Sequence, residues 1–100
     1  MTTATIHKPI YGTGATVAYT GTAGTSALLP VGATAIYAFC TTIAHIRIGV
    51  DPTAVTSDLP LAANVPVVIP INQGDPSEAQ KISAVQNASG GNLHYIPLAY

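Results

Sequence analysis

Three histidines, His7, His45 and His94, are the residues whose type best suits metal binding in this chain. Zinc sites in small domains draw most of their ligands from closely spaced pairs of Cys and His. The three histidines are far apart in the sequence, and no Cys-x-x-Cys or His-x-His spacing accompanies them. We therefore expect no metal site and no cofactor, and we interpret the three as independent histidines on strands or at the surface.

The residues that could support catalysis also lack the required context. Ser57, Ser83 and Ser89 are not set in a nucleophile elbow, and no His and Asp spacing completes a triad around them. The chain has four acidic residues, which leaves little material for paired-carboxylate chemistry. Asp51 and Asp58 suit turn and cap roles better than a calcium-binding loop, because the alternating acidic pattern and the terminal Glu of such a loop are missing. We expect that the protein is not an enzyme.

The remaining candidates are polar side chains on strands, which suit an interaction surface. Residues 43–50 alternate apolar and polar positions, and this pattern puts His45 and Arg47 on one face of a strand. His94 takes the polar face of a later strand and, like His45, could titrate near neutral pH and tune an interface. Arg47 could pair with a carboxylate of a neighbouring copy or partner, or it could be solvated or paired locally. His45, Arg47 and His94 are therefore the predicted interaction residues.

The charge content excludes several classes of partner. Only 7 of the 100 residues are charged, whereas an ordinary soluble domain has roughly a quarter. The net charge of −1 provides no basic surface for nucleic acid or for an anionic membrane. Weak repulsion between near-neutral copies favours association. Every charge but Lys8 lies between Arg47 and Lys81, so residues 9–46, which carry none, are where we expect buried contacts.

Neither the ends of the chain nor its cysteine predict export or membrane insertion. Cys40 is the only cysteine, so the chain cannot form an internal disulfide, and its apolar surroundings predict a buried thiol. The N-terminal residues do not follow the signal-peptide pattern. The most apolar long window, residues 27–44, is interrupted by Pro, Gly and Thr, so no spanning helix is expected. We interpret the protein as soluble.

The strand pattern predicts an all-β fold. Val, Ile and Thr make up 31 residues, and Gly, Pro and Asn interrupt the chain at intervals typical of a sandwich or barrel. Residues 65–72 predict an edge or bulged strand, because Pro66 and Pro70 cannot donate ladder hydrogen bonds. Residues 81–86 and 92–98 predict a hairpin, in which Gly90 and Gly91 supply positive φ angles to the connection. Further strands are expected over these segments: 5–10, 15–20, 26–29, 35–39 and 43–50.

These elements predict one domain over residues 1–100. We expect a single antiparallel β-sandwich of about seven to eight short strands, with a jelly roll as one form of it. The Gly- and Thr-rich N-terminal segment leaves two alternatives open. In the first alternative, residues 1–25 form an extended arm beside a body of residues 26–100. In the second, residues 13–25 contribute two strands.

Half of the chain resembles a known class of protein. The stretch runs from Arg47 to Pro97. Arg47-Ile48 leads through Asp51-Pro52-Thr53-Ala54 and Asp58-Leu59-Pro60-Leu61 to Pro66, Pro70-Ile71 and Gly74. It continues with Lys81-Ile82-Ser83-Ala84-Val85-Gln86 and Ala88-Ser89-Gly90-Gly91-Asn92-Leu93. This stretch resembles small β-sandwich virion proteins of tailed bacteriophages, including head decoration (cement) proteins. The shared elements are turn and strand residues, so no functional residue is carried over.

The resemblance implies a structural function in the virion. It implies a capsid decoration protein that stabilises the head by bridging capsomers, made in the bacterial cytoplasm and located on the capsid exterior. Its implied partners are the major capsid protein and further copies of itself, usually as a homotrimer or another small oligomer, without catalysis or cofactor. A neck, tail or fibre-attachment component is an alternative within the same class. A small carbohydrate-binding module is an alternative from another class, although the five tyrosines show no obvious cluster in the sequence.

Overall fold

The computed structural model describes residues 8–30, 32–71 and 80–99, and these form strands and connections without a helix. They contain nine strands: β1 (Lys8–Pro9), β2 (Ala15–Tyr19), β3 (Gly24–Thr25), β4 (Ala35–Cys40), β5 (Ala44–Gly49), β6 (Leu59–Leu61), β7 (Val67–Pro70), β8 (Lys81–Gln86) and β9 (Gly91–Ala99). The prediction of an all-β chain is confirmed. The strand predicted over residues 5–10 is described from Lys8 onward, and the rest of it lies outside the described residues.

The strands form two antiparallel sheets. Sheet A has the order β1-β9-β4-β7, and β2 pairs with β9 along the same edge as β1. Sheet B has the order β3-β8-β5-β6. The pairs are nested along the chain, because β2 pairs with β9, β3 with β8, β4 with β7 and β5 with β6. β4 also pairs with β9, and β5 with β8.

Both sheets contribute to one hydrophobic core, in a sandwich-like arrangement. Because side chains alternate between the faces of a strand, every second residue points inward. Sheet A contributes Tyr19, Ile36 and Leu93, and sheet B contributes Ile46 and Ile82, all at most 2% exposed. Burying side chains of this size stabilises the fold by about 1.5–3 kcal/mol each.

Strands β8 and β9 do not form the predicted hairpin. They belong to different sheets, and residues 87–90 carry the chain across from one sheet to the other. Residues 20–23, 41–43 and 62–66 make the same kind of crossing, and we call the end of the molecule formed by these four connections the arch end. The positive φ angles predicted for Gly90 and Gly91 are also wrong, since among the described glycines only Gly12 and Gly32 have them.

The N-terminal segment is expected from the sequence either to form an extended arm or to contribute two strands over residues 13–25. The structure shows the two strands, β2 and β3. β2 pairs with β9 over five residues, and β3 pairs with β8. Val17 and Tyr19 are 3% and 2% exposed in the core, so β2 is part of the packed body. Gly24 allows the close approach of β3, because a Cβ there would lie 2.0 Å from the Ala18 carbonyl oxygen.

Candidate functional site

The outer face of sheet A carries an open set of apolar and aromatic side chains. Strand register places them in rows across the sheet: Thr16, His94 and Phe39 in the first, Ile96, Tyr37 and Val68 in the second, and Pro9, Leu98, Ala35 and Pro70 in the third. We call this surface, together with the adjacent Tyr11, the aromatic face. None of these residues is charged.

Two adjoining depressions lie on the aromatic face. The first has a volume of about 330 Å³ and is lined mainly by Thr16, Phe39 and His94. The second has a volume of about 460 Å³, and Pro9 and Tyr11 belong to its lining. Tyr37 and Ile96 line both depressions. Because part of the lining is shared, the two depressions adjoin each other on the sheet, and we call the pair the groove. Each volume lies within the range of ~300–1,000 Å³ that ligand sites occupy.

Aromatic and polar groups meet in the first depression. The rings of Phe39 and His94 are stacked, with their centroids 5.0 Å apart and an interplanar angle of 25°. Oγ1 of Thr16 lies 3.1 Å from Nδ1 of His94, within hydrogen-bonding distance. This contact orients the imidazole ring against Phe39. The first depression therefore has a polar edge beside its apolar floor.

The aromatic face exposes large side chains that ordinary packing would bury. Tyr11 is 84% exposed, Tyr37 43% and Val68 52%. Contiguous apolar patches on a protein surface mark interaction sites or ligand grooves far more often than isolated apolar residues do. The aromatic face is therefore a candidate binding surface.

The outer face of sheet B, in contrast, is covered in part by the chain itself. Ser83 and Val85 point to this face, yet they are only 0% and 7% exposed, since residues 50–58 pass over sheet B. The backbone N–H of Ala54 donates to Ser83 Oγ at 2.9 Å, and Ala54 itself is 3% exposed. A buried hydroxyl needs such a partner, so this bond fixes the covering segment in place.

Asp58 holds the end of the covering segment. Its Oδ1 accepts a hydrogen bond of 2.8 Å from Arg47, and its Oδ2 accepts one of 2.9 Å from the Val55 N–H. The hydrogen bond from Arg47 lowers the pKa of the Asp58 carboxyl, and the Val55 bond lowers it further. The carboxylate therefore stays ionised to more acidic pH than a free Asp does.

The predicted interaction residues are divided between the two sheets. Arg47 and His45 lie on sheet B, where His45 contacts the Asp58 carbonyl oxygen (3.3 Å from Nδ1) and Asn87 Oδ1 (3.0 Å from Nε2). Of the two alternatives for Arg47, the structure has the local pair with Asp58. His94 lies on the aromatic face of the other sheet. The structure therefore does not bring the three together.

The arch end is tied together by hydroxyl groups. The Tyr19 hydroxyl donates to the Thr42 carbonyl oxygen (2.9 Å) and lies 2.8 Å from Thr42 Oγ1. Thr42 Oγ1 in turn donates to the Ser89 carbonyl oxygen at 3.1 Å. Gly91 lies against these hydroxyl groups, since a Cβ at Gly91 would be 2.6 Å from Thr42 Oγ1. These bonds join two of the four crossings, residues 41–43 and 87–90, to each other and to the end of β2.

The surface of the arch end is uncharged and bears protruding apolar side chains. The sequence of all four crossings contains Thr, Ala, Gly, Ser, Asn, Val, Ile and Pro, but no Asp, Glu, Lys or Arg. Ile43 is 49% exposed and Val65 50%. Near Ile43, residues 87–89 line a small depression of about 150 Å³. The hydroxyl network beneath restrains Thr42 and Ser89, and a surface that is restrained before docking loses less entropy on docking.

Other kinds of site find no support among the described residues. No three of their His, Cys, Asp and Glu side chains lie together as metal ligands. Their secondary structure offers no helix long and apolar enough to cross a bilayer. Cys40 is fully buried, and this burial raises the pKa of its thiol, although a hydrogen bond with Tyr19 partly opposes the shift.

Comparison with protein-family models, with curated proteins and with solved structures gives no match.

Sequence reasoning missed the aromatic face. Tyr19 and Tyr95 are buried, but Tyr11 and Tyr37 line one depression, so the tyrosines do cluster in part. The alternation of residues 35–39 could have shown that Tyr37 and Phe39 share a face, but not which strands lie beside them.

Proposed function

We propose that this protein is a structural component of a phage virion, a head decoration protein that bridges capsomers on the capsid exterior. The resemblance of residues 47–97 to such proteins supports the class. The observation that carries the proposal in the structure is the neutral arch end with its exposed Ile43 and Val65. This is the surface that we assign to the major capsid protein.

The strand pairing supports a finer fold assignment, the jelly roll. In a jelly roll, a ribbon of eight strands folds so that the first pairs with the eighth, the second with the seventh, and so on inward. Strands β2 to β9 pair in that nested order, and the ribbon closes on itself through β4·β9 and β5·β8. Jelly rolls are common building blocks of viral shells.

The energetics of the arch end suit attachment to a repeating lattice. Burying the exposed half of Ile43 and of Val65 contributes about 1 kcal/mol each, because complete burial of such side chains contributes ~1.5–3 kcal/mol. No charged group of the arch end has to be desolvated. A weak contact of this kind becomes strong when several copies bind together, so a homotrimer with three arch ends gains avidity.

Light scattering after size-exclusion chromatography tests for the oligomer, and a monomer at high concentration would count against the homotrimer.

Co-sedimentation with heads tests the attachment. The heads are assembled from the major capsid protein encoded in the same genome, and bound protein is measured across a concentration series. We expect Ile43→Asp and Val65→Asp each to reduce binding at least tenfold, because each places a charge in the contact. The matched control is Leu28→Asp. Leu28 is 58% exposed but lies in the connection from β3 to β4, away from the arch end.

Two results would decide against the proposal. If the unmodified protein does not sediment with heads, the decoration function is wrong. If it sediments and the control variant loses binding as much as the arch-end variants do, the arch end is not the contact. Sedimentation with necks, tails or fibres but not with heads would favour the alternative location in the virion.

A further inference from the structure

We propose that the aromatic face is a binding site for a neutral oligosaccharide, which lies along the groove formed by the two depressions. This site is separate from the arch end, and the inference does not depend on the capsid proposal. It follows from three features of the described residues: the shape of the groove, the placement of its aromatic rings and its lack of charge.

Three aromatic side chains line the groove. Tyr37 lines both depressions, Tyr11 lines the second and Phe39 the first. Pyranose rings have a face of C–H groups that packs on an aromatic ring, while their hydroxyls point outward in the ring plane. Tyrosine suits this contact because it combines a large apolar ring with a polar hydroxyl. Concave sites are typical of small-ligand binding, and the depression at the arch end, at about 150 Å³, is smaller than either depression of the groove.

The lack of charge selects among oligosaccharides. None of the residues that line the depressions is Asp, Glu, Lys or Arg, so a sulfated, uronic or sialylated sugar would lose solvation without gaining an ion pair to a permanently charged side chain. A neutral sugar needs hydrogen-bonding groups instead. Thr16 and His94 supply hydroxyl and imidazole groups at one end of the groove, and Tyr11 supplies a phenol at the other.

The binding test uses the full chain on an array of neutral oligosaccharides with their sulfated and sialylated counterparts. Titration calorimetry then measures the affinity for the neutral hexasaccharide that gives the strongest array response. We expect Tyr11→Ala to weaken this affinity about tenfold, which corresponds to about 1.4 kcal/mol. Tyr11 is 84% exposed, so its removal leaves the fold intact. Tyr37→Leu, which keeps an apolar side chain in β4, should weaken the affinity at least as much.

The arch-end variant Ile43→Asp is the control and should bind the hexasaccharide normally. The inference is overturned if no neutral oligosaccharide binds at millimolar concentration, if only anionic sugars bind, or if Tyr11→Ala and Tyr37→Leu bind as well as the unmodified protein. It is also overturned if these two variants bind sugar normally but lose self-association or capsid binding, since the aromatic face is then a protein contact. Failure of the sugar test leaves the co-sedimentation result unaffected, so the two proposals fail separately.

Discussion

Replacement of Gly91 by Ala tests the packing of the arch end most directly. Gly91 does not have a positive φ, so alanine can adopt its backbone conformation. The difficulty is space. An added Cβ would lie 2.6 Å from Thr42 Oγ1, 2.7 Å from Thr41 Oγ1 and 2.9 Å from the Tyr19 hydroxyl, all closer than a real Cβ tolerates. The three hydroxyls must therefore move away from the added carbon.

The expected cost combines steric strain and lost hydrogen bonds. Overpacking by one methyl group costs about 1–3 kcal/mol. The bonds from Tyr19 to Thr42 and from Thr42 to Ser89 contribute ~0.5–1.5 kcal/mol each, and at least one of them breaks or lengthens. We expect Gly91→Ala to lower the free energy of unfolding by about 2–4 kcal/mol. At ~4–8 °C per kcal/mol for a domain of this size, Tm should fall by roughly 10 °C or more.

Urea unfolding followed by circular dichroism and tyrosine fluorescence measures this change. Gly49→Ala is the matched control, because a Cβ at Gly49 would have nothing within 4 Å and the φ there is not positive either. The control should be neutral or stabilise the protein by up to about 1 kcal/mol, since alanine restricts the unfolded chain more than glycine does.

A double-mutant cycle with Tyr19→Phe separates the steric cost from general destabilisation. Tyr19→Phe removes one of the three crowding oxygens, so its effect and that of Gly91→Ala should be less than additive by at least ~0.5 kcal/mol. The reasoning is refuted if Gly91→Ala is within about 0.5 kcal/mol of the Gly49→Ala control, or if the two effects simply add.

Three further predictions concern other parts of the molecule. Gly24→Ala should be the more damaging of the glycine changes, because its Cβ would overlap the Ala18 backbone, and little folded protein should remain by circular dichroism. For Asp58→Asn, the lowered pKa of the native carboxyl means that its stabilising contribution is present above the ordinary Asp pKa and lost as pH falls through the native value. The urea midpoints of variant and unmodified protein should therefore differ at pH 5–8, begin to approach each other below about pH 4, and converge only below the lowered native pKa of Asp58. Since burial raises the pKa of the Cys40 thiol, a thiol reagent at pH 8 should react far more slowly with native than with urea-unfolded protein, and equal rates would contradict the buried placement.

Alternation along single strands predicted the local structure well. The pattern around β5 placed Ile46 and Ile48 on the core side and His45 and Arg47 opposite, as the structure has them. The strand predicted over residues 43–50 is shorter in the structure, because it ends at Gly49, and Val50 is 54% exposed. Strand ends depend on where the partner strand stops pairing, and a sequence pattern does not contain that information.

The hairpin prediction failed for a related reason. A short connection that contains glycine can join two neighbours in one sheet or can cross between two sheets, and the residues look alike in both cases. The partner strands decide between the two. β8 pairs with β5 and β9 with β4, which lie many residues away in sequence. The aromatic face could not be foreseen either, because it depends on the same pairing, which places Tyr37 beside Ile96 and Phe39 beside His94.

The sheet edges formed by β7 and β6 disfavour the addition of a further strand, so association at a face or an end of the molecule is favoured there. Ile71, just after β7, donates its N–H to the carbonyl before β4. Because N–H directions alternate along a strand, the nitrogens of Pro70, Val68 and Pro66 are directed to the open side of the sheet. Two of these three have no N–H, so an added strand would find only the donor of Val68.

Pro60 leaves a similar gap in β6, which lies at the same side of sheet B. Strand addition at this side is thus blocked by proline, as in other proteins that protect their edges. We therefore expect partners to bind at the arch end and the aromatic face, where no charged group has to be desolvated.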